Sequence, residues 1–337
     1  MLAIAEKISE ATAVDRRALP DDVLKSTRPV VLRGLVAHWP VVRAGLESDR
    51  SASEYLRRFY AGATVGALLG APDIGGRFFY NEDLSGFNFR SVRIKLDVVL
   101  DEIARHEHAA KPPAIYVGST TVDTCLPGFR AENDLGFGDR EPLVSVWLGN
   151  RTRIAAHHDL PDNLACVVVG HRRFTLFPPE QLANLYVGPL DFTPAGQAIS
   201  LVDFAEPDLV RFPRFAEALR HAQVAELAPG DAIFIPSMWW HHVESLDSLN
   251  VLINYWWRQS PSYMDSPMNA LMLAIMSVRD LPEEQRKAWQ NIFRHYVFEA
   301  DAETTAHIPQ GGRRSLAPLD AEAARELRAR LLQRLNR

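Results

Sequence analysis

The feature that most restricts what this chain can fold into is a crowd of short strand-like segments in its middle, with no long helical pattern between them. LVSVWL (143–148), LACVVV (164–169), RFTLF (173–177), DAIFI (231–235) and NVLINYWW (250–257) are β-branched or aromatic and bounded by Gly, Pro or Asn. Turn chemistry separates them, as in Val169-Gly170-His171 and Ala228-Pro229-Gly230-Asp231. Strands succeeding one another in this way argue against a doubly wound parallel sheet. They predict a mainly β fold, a barrel or jelly roll.

Mixed elements precede this core. PVVLRG (29–34), RFFYN (77–81) and AIYVG (114–118) read as short strands, and 51–60 as a helix with Tyr55, Leu56 and Phe59 at helical spacing. After Arg258 the pattern becomes helical. Leu271, Ile275 and Val278 share a face, as do Trp289, Ile292, Phe293 and Tyr296, and Leu327, Leu331 and Leu335 form a stripe behind an Asp320 cap. The expected organisation is a barrel with N-terminal elaboration over 1–258 and a helical region over 259–337. The apolar stretch 268–278 is too short to span a membrane and is expected to be a buried helix.

Composition serves mainly to exclude. Lys plus Arg is 37 against 42 for Asp plus Glu, a net charge of −5, which gives no nucleic-acid footprint. The 47% hydrophobic content argues against disorder. Cys125 and Cys166 are too few for a disulfide framework or a multi-cysteine zinc site. Glu6, Lys7, Glu10, Asp15, Arg16 and Arg17 interrupt any apolar leader core, so a cytoplasmic protein with no membrane partner is expected.

Chemistry enters with the histidines. In Ala156-His157-His158-Asp159 alternation along a strand puts His157 and Asp159 on one face and His158 on the other. Trp239-Trp240-His241-His242 offers a third ligand if its strand lies across the barrel from the first cluster. Two His and one carboxylate with open positions hold non-haem Fe(II) for oxygen chemistry, and also catalytic zinc, so the donor types leave the metal open.

Longer segments narrow the choice. HHDLPDNLACVVVGHRRFTLFPPEQ (157–181), VDFAEPDLVRFPRF (202–215), PGDAIFIPSMWWHHVES (229–245) and NYWWR (254–258) resemble the JmjC-type, cupin-like 2-oxoglutarate oxygenases, with the factor-inhibiting-HIF-like asparaginyl hydroxylases and their bacterial relatives as the nearest look. RPVVLRGLVAHWP (28–40) and RFFYNEDLSGFNF (77–89) extend the likeness, in the same order, over most of the chain up to Arg258. The resemblance implies a double-stranded β-helix with Fe(II) held by His157, Asp159 and His241. It implies 2-oxoglutarate chelating the iron, its C5 carboxylate held by Arg172 (where the family has lysine) and Tyr116, with Asn163 and Asn254 beside it and Trp256 walling the pocket. The sequence departs from the family at Ile154, where related hydroxylases carry a threonine or serine hydroxyl.

The implied activity is O2-dependent hydroxylation of a C–H bond, with succinate and CO2 as co-products. The substrate is expected to be a protein or peptide side chain, with a small molecule as the other option. Histone-lysine demethylation is disfavoured by the absence of an accompanying reader domain or basic tail. Related enzymes dimerise through C-terminal helices, which implies a homodimer, with packing inside the chain as the other use of the leucine stripe. The alternative function is a non-catalytic cupin that binds metal or a small acid as a sensor, which Ile154 and Arg172 favour. A zinc-dependent isomerase or hydrolase on the same barrel is a third.

Overall fold

A computed structural model describes residues 4–11, 19–194 and 196–336. The stretch with Asp15, Arg16 and Arg17 lies outside the described residues. The chain divides into two compact units, Met1–Gln259 and Ser260–Arg337.

In the first unit β1 (Glu6–Lys7), β2 (Ser9–Ala11), β3 (Val30–Leu32), β4 (Thr64–Gly70), β5 (Arg77–Phe78), β6 (Phe89–Lys95) and β7 (Ala114–Thr121) precede the central eight. Those are β8 (Leu143–Gly149), β9 (Arg153–His157), β10 (Asp162–Val169), β11 (Arg172–Phe177), β12 (Gln223–Leu227), β13 (Ala232–Ile235), β14 (Trp240–Ser245) and β15 (Asn250–Trp257). One sheet runs β1-β12-β11-β14-β9-β5 and the other β2-β3-β13-β10-β15-β8-β7-β4-β6. From β8 to β15 the chain crosses repeatedly between the two sheets, which is a jelly roll.

Side-chain alternation explains why this sequence fills such a barrel. In β10 Leu164, Cys166 and Val168 pack into the large core beneath the helices Pro40–Glu47 and Asp49–Phe59. Ala165 and Val167 point between the sheets, against Phe174, Leu176, Ile233 and Leu252. Both faces of β10 are therefore buried, and the strand reads as an unbroken apolar run. Helix Pro40–Glu47 approaches it closely at Gly45, where a Cβ would lie 3.0 Å from Val169 Cγ2 and 3.2 Å from the Val168 carbonyl oxygen. Asn163 continues the inward series of β10, and Asn254 that of β15. Polar side chains thus stand among apolar ones inside the barrel.

Two expectations need correction. β14 is not across the barrel from β9; the two are neighbours in one sheet, with His241 in register with His157. The sequence could not show this, because 82 residues of chain separate strands that pair directly. The second concerns the apolar helix, Pro267–Ser277, which has no buried residue. A helix apolar on all sides needs neighbours on several. In its own unit Leu271 and Ile275 face Phe293 and Val297 across an open groove of about 790 Å³. The same unit holds helices Glu283–Phe293 and Ala321–Leu335, the last capped by Asp320, whose side chain accepts from the Glu322 and Ala323 amides. Among the described residues no helix is long and apolar enough to cross a membrane.

Candidate metal centre

His157 ends β9, Asp159 follows two residues later and His241 is the second residue of β14. The backbone between them is pinned from both sides: the Met238 amide donates to the Asp159 carbonyl at 2.9 Å and Ser237 Oγ to the Leu160 carbonyl at 2.7 Å. Met238 itself sits at φ 69°, a left-handed conformation that turns the chain sharply into β14.

One donor atom from each of His157, Asp159 and His241 lies within 4.8 Å of the others. The tautomers follow from hydrogen bonding. His157 Nδ1 meets the Ala155 carbonyl at 2.9 Å and His241 Nδ1 the Trp239 carbonyl at 3.0 Å. Carbonyls only accept, so each Nδ1 carries a hydrogen and each Nε2 is the ring atom left for the centre. Burial, then the neighbouring His157, pushes the His241 pKa down to about 4, so the ring is neutral near pH 7. A neutral His241 Nε2 therefore faces an Asp159 oxygen at 3.6 Å, two electron-pair donors turned toward one another. A divalent cation between them resolves that confrontation, and two imidazoles with one carboxylate suit iron or zinc. The donor set fits a metal.

His158 and His242 point elsewhere. His158 meets the Trp240 ring edge-on at 4.7 Å, while His242, its pKa depressed to about 3 chiefly by burial, packs on Phe204 at 4.7 Å.

A narrow chamber of about 50 Å³ adjoins the centre and gathers the five residues expected to hold the cosubstrate or wall the pocket: Tyr116, Asn163, Arg172, Asn254 and Trp256. Arg172 is 3% exposed, and its Nε and Nη2 have no hydrogen-bond partner among the described residues. Those two nitrogens form one edge of the guanidinium, the edge that grips a carboxylate through parallel bonds. Burial lowers the Arg172 pKa to about 10, with Tyr116 opposing the shift. A buried cation with an unpartnered fork fits one carboxylate of a dicarboxylate whose other end reaches the metal. Arg173, the next residue, faces the opposite way toward Glu226 and Glu244. Ile154 also lines the chamber and offers no hydroxyl.

Sequence reading missed Trp147. Its indole nitrogen donates to Asn254 Oδ1 at 2.7 Å, and Asn254 Nδ2 donates to Asn163 Oδ1 at 3.2 Å. An indole can only donate, so the orientation of both amides is set by chemistry, and Asn163 is left with its NH2 for the chamber. Trp147 also stands against Trp256 at 5.5 Å. The available signal was inward alternation along β8.

Residues 16–263 match the family described as cupin-like domain, and the chain belongs to that family. It is 33% identical over 165 residues to human HSPB1-associated protein 1, covering 47% of this chain and 33% of that one. It is 27% identical over 240 residues to lysine-specific demethylase 8 of Xenopus tropicalis, covering 70% and 49%. Lysine-specific demethylase JMJ31 of Arabidopsis thaliana is 36% identical over 140 residues, covering 39% and 25%. The match thus spans from a quarter to about half of these relatives' length.

Proposed function

We propose that this chain is an Fe(II)- and 2-oxoglutarate-dependent oxygenase that hydroxylates a C–H bond of a protein or peptide side chain. The observation that carries the reading is the unpartnered Arg172 fork in a chamber beside the His157, Asp159 and His241 donors. Iron(II) in this setting supplies oxidative decarboxylation of 2-oxoglutarate to succinate and CO2, coupled to oxidation of the substrate C–H bond. The protein's part is placement. His157 and His241 would hold the metal through Nε2 and Asp159 through a carboxylate oxygen. Arg172, with Tyr116, takes the C5 carboxylate, and the bidentate fork stands in for the hydroxyl that Ile154 does not provide. Asn163 donates its NH2 to a cosubstrate oxygen, and Trp256 excludes water beside the reacting carbon. Two buried free thiols, Cys125 and Cys166, suit a reducing cytoplasm.

Anaerobic titration of the full chain with Fe(II) and 2-oxoglutarate is the deciding test. A weak visible charge-transfer band is expected, followed by succinate on admitting oxygen with a substrate. No band at saturating 2-oxoglutarate sinks the assignment; a band without succinate from any substrate points to a sensor, and turnover without oxygen or 2-oxoglutarate to a zinc enzyme.

Trp147→Phe keeps an aromatic wall but removes the N–H that orients both asparagines. One lost hydrogen bond in a buried network is worth about 0.5–1.5 kcal/mol, so the KM for 2-oxoglutarate should rise roughly two- to tenfold with kcat little changed. Steady-state succinate kinetics check this, and an unchanged KM removes the relay from the binding site.

We also propose that the second unit pairs two copies of the chain. Leu331 and Leu335 are 40% and 53% exposed on helix Ala321–Leu335, and Trp289, Met276 and Phe298 add further exposed apolar surface. Sedimentation equilibrium is expected to give a dimer for the native chain and a monomer for Leu331→Asp/Leu335→Asp; a native monomer at micromolar concentration overturns the pairing.

A further inference from the structure

We propose that the cleft leading out of the metal centre is built for an extended peptide carrying acidic side chains and rejects a cationic one. What happens chemically to that peptide rests on the oxygenase reading; the binding does not.

The cleft has a volume of about 640 Å³ and starts at His157, Asp159, Trp147 and Trp256. It runs outward over β7, β4 and β6 to the edge of the nine-stranded sheet, where it is lined by Gly118, Gly66, Ser91 and Arg93. Its floor is low because the strands present small residues there. A Cβ on Gly66 would meet nothing within 4 Å, and one on Gly118 nothing nearer than 3.9 Å. That leaves a channel in which the side chains of a bound segment can lie.

The charge of the channel is one-sided. Among its described lining residues Asp159 is the one carboxylate, and the metal centre claims it; Arg93 is the cation. Arg93 is steadied by neutral partners, its Nη2 donating to Thr64 Oγ1 at 3.0 Å, and no acidic side chain of the described residues pairs with it. Ser91 and Lys95 share its face of β6 by strand alternation. Arg90, Arg93 and Lys95 make β6 a basic strand with no Asp or Glu. As the last strand of its sheet, pairing only with β4 among the described residues, β6 also keeps one ladder edge free for an extended main chain. An acidic segment finds Arg93 and Lys95 beside the channel. A lysine-bearing one meets like charge and no free carboxylate, which is how a site selects against a partner.

The probes are two fluorescein-labelled nonapeptide pools, randomised at the centre and alternating alanine with either glutamate or lysine. Their binding to the full chain is read by fluorescence anisotropy with Mn(II) and 2-oxoglutarate present. The glutamate pool is expected to bind about fivefold tighter or better at low ionic strength, with the advantage shrinking as salt is added. Arg93→Glu is expected to abolish or reverse the preference. Gly66→Phe, at a position with open space and a φ outside the left-handed region, is expected to weaken both pools while leaving 2-oxoglutarate binding unchanged. Equal or tighter binding of the lysine pool, or an acidic preference that survives Arg93→Glu, overturns the proposal. Succinate release by the same protein loaded with Fe(II) in air, with each pool present, reads the oxygenase assignment separately. Acidic preference without succinate leaves the cleft standing and removes the assignment; succinate without acidic preference does the reverse.

Discussion

Asp159→Ala is expected to lower 2-oxoglutarate turnover by at least about a hundredfold while the fold stays intact. Residues that merely support a ligand cost 10–100-fold in affinity or activity when removed, and Asp159 is the single anionic donor of the set. Without it, two imidazoles face a divalent ion with no anionic donor to offset its charge. The fold is spared because the carboxylate confronts the lone pair of a neutral His241 at 3.6 Å, and so makes no stabilising ion pair there. Thermal melting separates the two effects. A metal bound at about a hundred times its Kd adds about 2.7 kcal/mol, roughly 5 °C for a unit of this size. Mn(II) should therefore raise the melting temperature of the native chain and not that of the variant, whose metal-free melting should match. Succinate production by Asp159→Ala at the native rate would remove the metal assignment, and so would an undiminished Mn(II) shift.

The parts of this molecule that were readable in the sequence are those written in local pattern. Segments such as NVLINYWW announce strands through β-branching and flanking turns, and Asp320 announces a helix by its cap. β4 and β6 escaped notice for physical reasons. TVGALLG carries two glycines, and FRSVRIK alternates charge with aliphatics as an edge strand does, so neither shows the dense apolar signal of a central strand. The candidate ligands could be singled out because His157 and Asp159 are neighbours in sequence. The pairing of β9 with β14 could not, since register between distant strands is a property of the closed barrel. Alternation along β8 puts Trp147 on the inward face, but its role was hidden for a related reason. Its role depends on Asn254 and Asn163, more than 100 and 16 residues away, and on an amide orientation that only the hydrogen-bond chain determines. The apolar helix Pro267–Ser277 shows the opposite failure, for its pattern says what it avoids and not which surface covers it.

Arg172→Leu is expected to separate function from stability in the direction opposite to most core substitutions. The guanidinium is buried and its pKa falls from the ordinary arginine range to about 10, chiefly by desolvation, which corresponds to about 3 kcal/mol charged against the folded state at neutral pH. That cost persists below the folded value and disappears only as pH rises through it. Leucine removes the charge and fills part of its volume, so the ligand-free variant should melt at the native temperature or above. It should also lose 2-oxoglutarate, because among the described lining residues no other cation meets the C5 carboxylate: Ile154 is apolar, Tyr116 provides one hydroxyl and Asn163 a neutral amide. Two charge-assisted bonds at about 1.5–3 kcal/mol each place the loss of affinity at a hundredfold or more. Arg172→Lys keeps the charge but not the fork and should fall between, about tenfold weaker than native. Anaerobic titration of the charge-transfer band gives the affinities and calorimetry the melting temperatures. An Arg172→Leu chain that binds 2-oxoglutarate as tightly as the native one would show that the C5 carboxylate is held elsewhere. A chain that binds weakly and also melts well below native would mean that the arginine serves the fold, with its effect on the cosubstrate secondary.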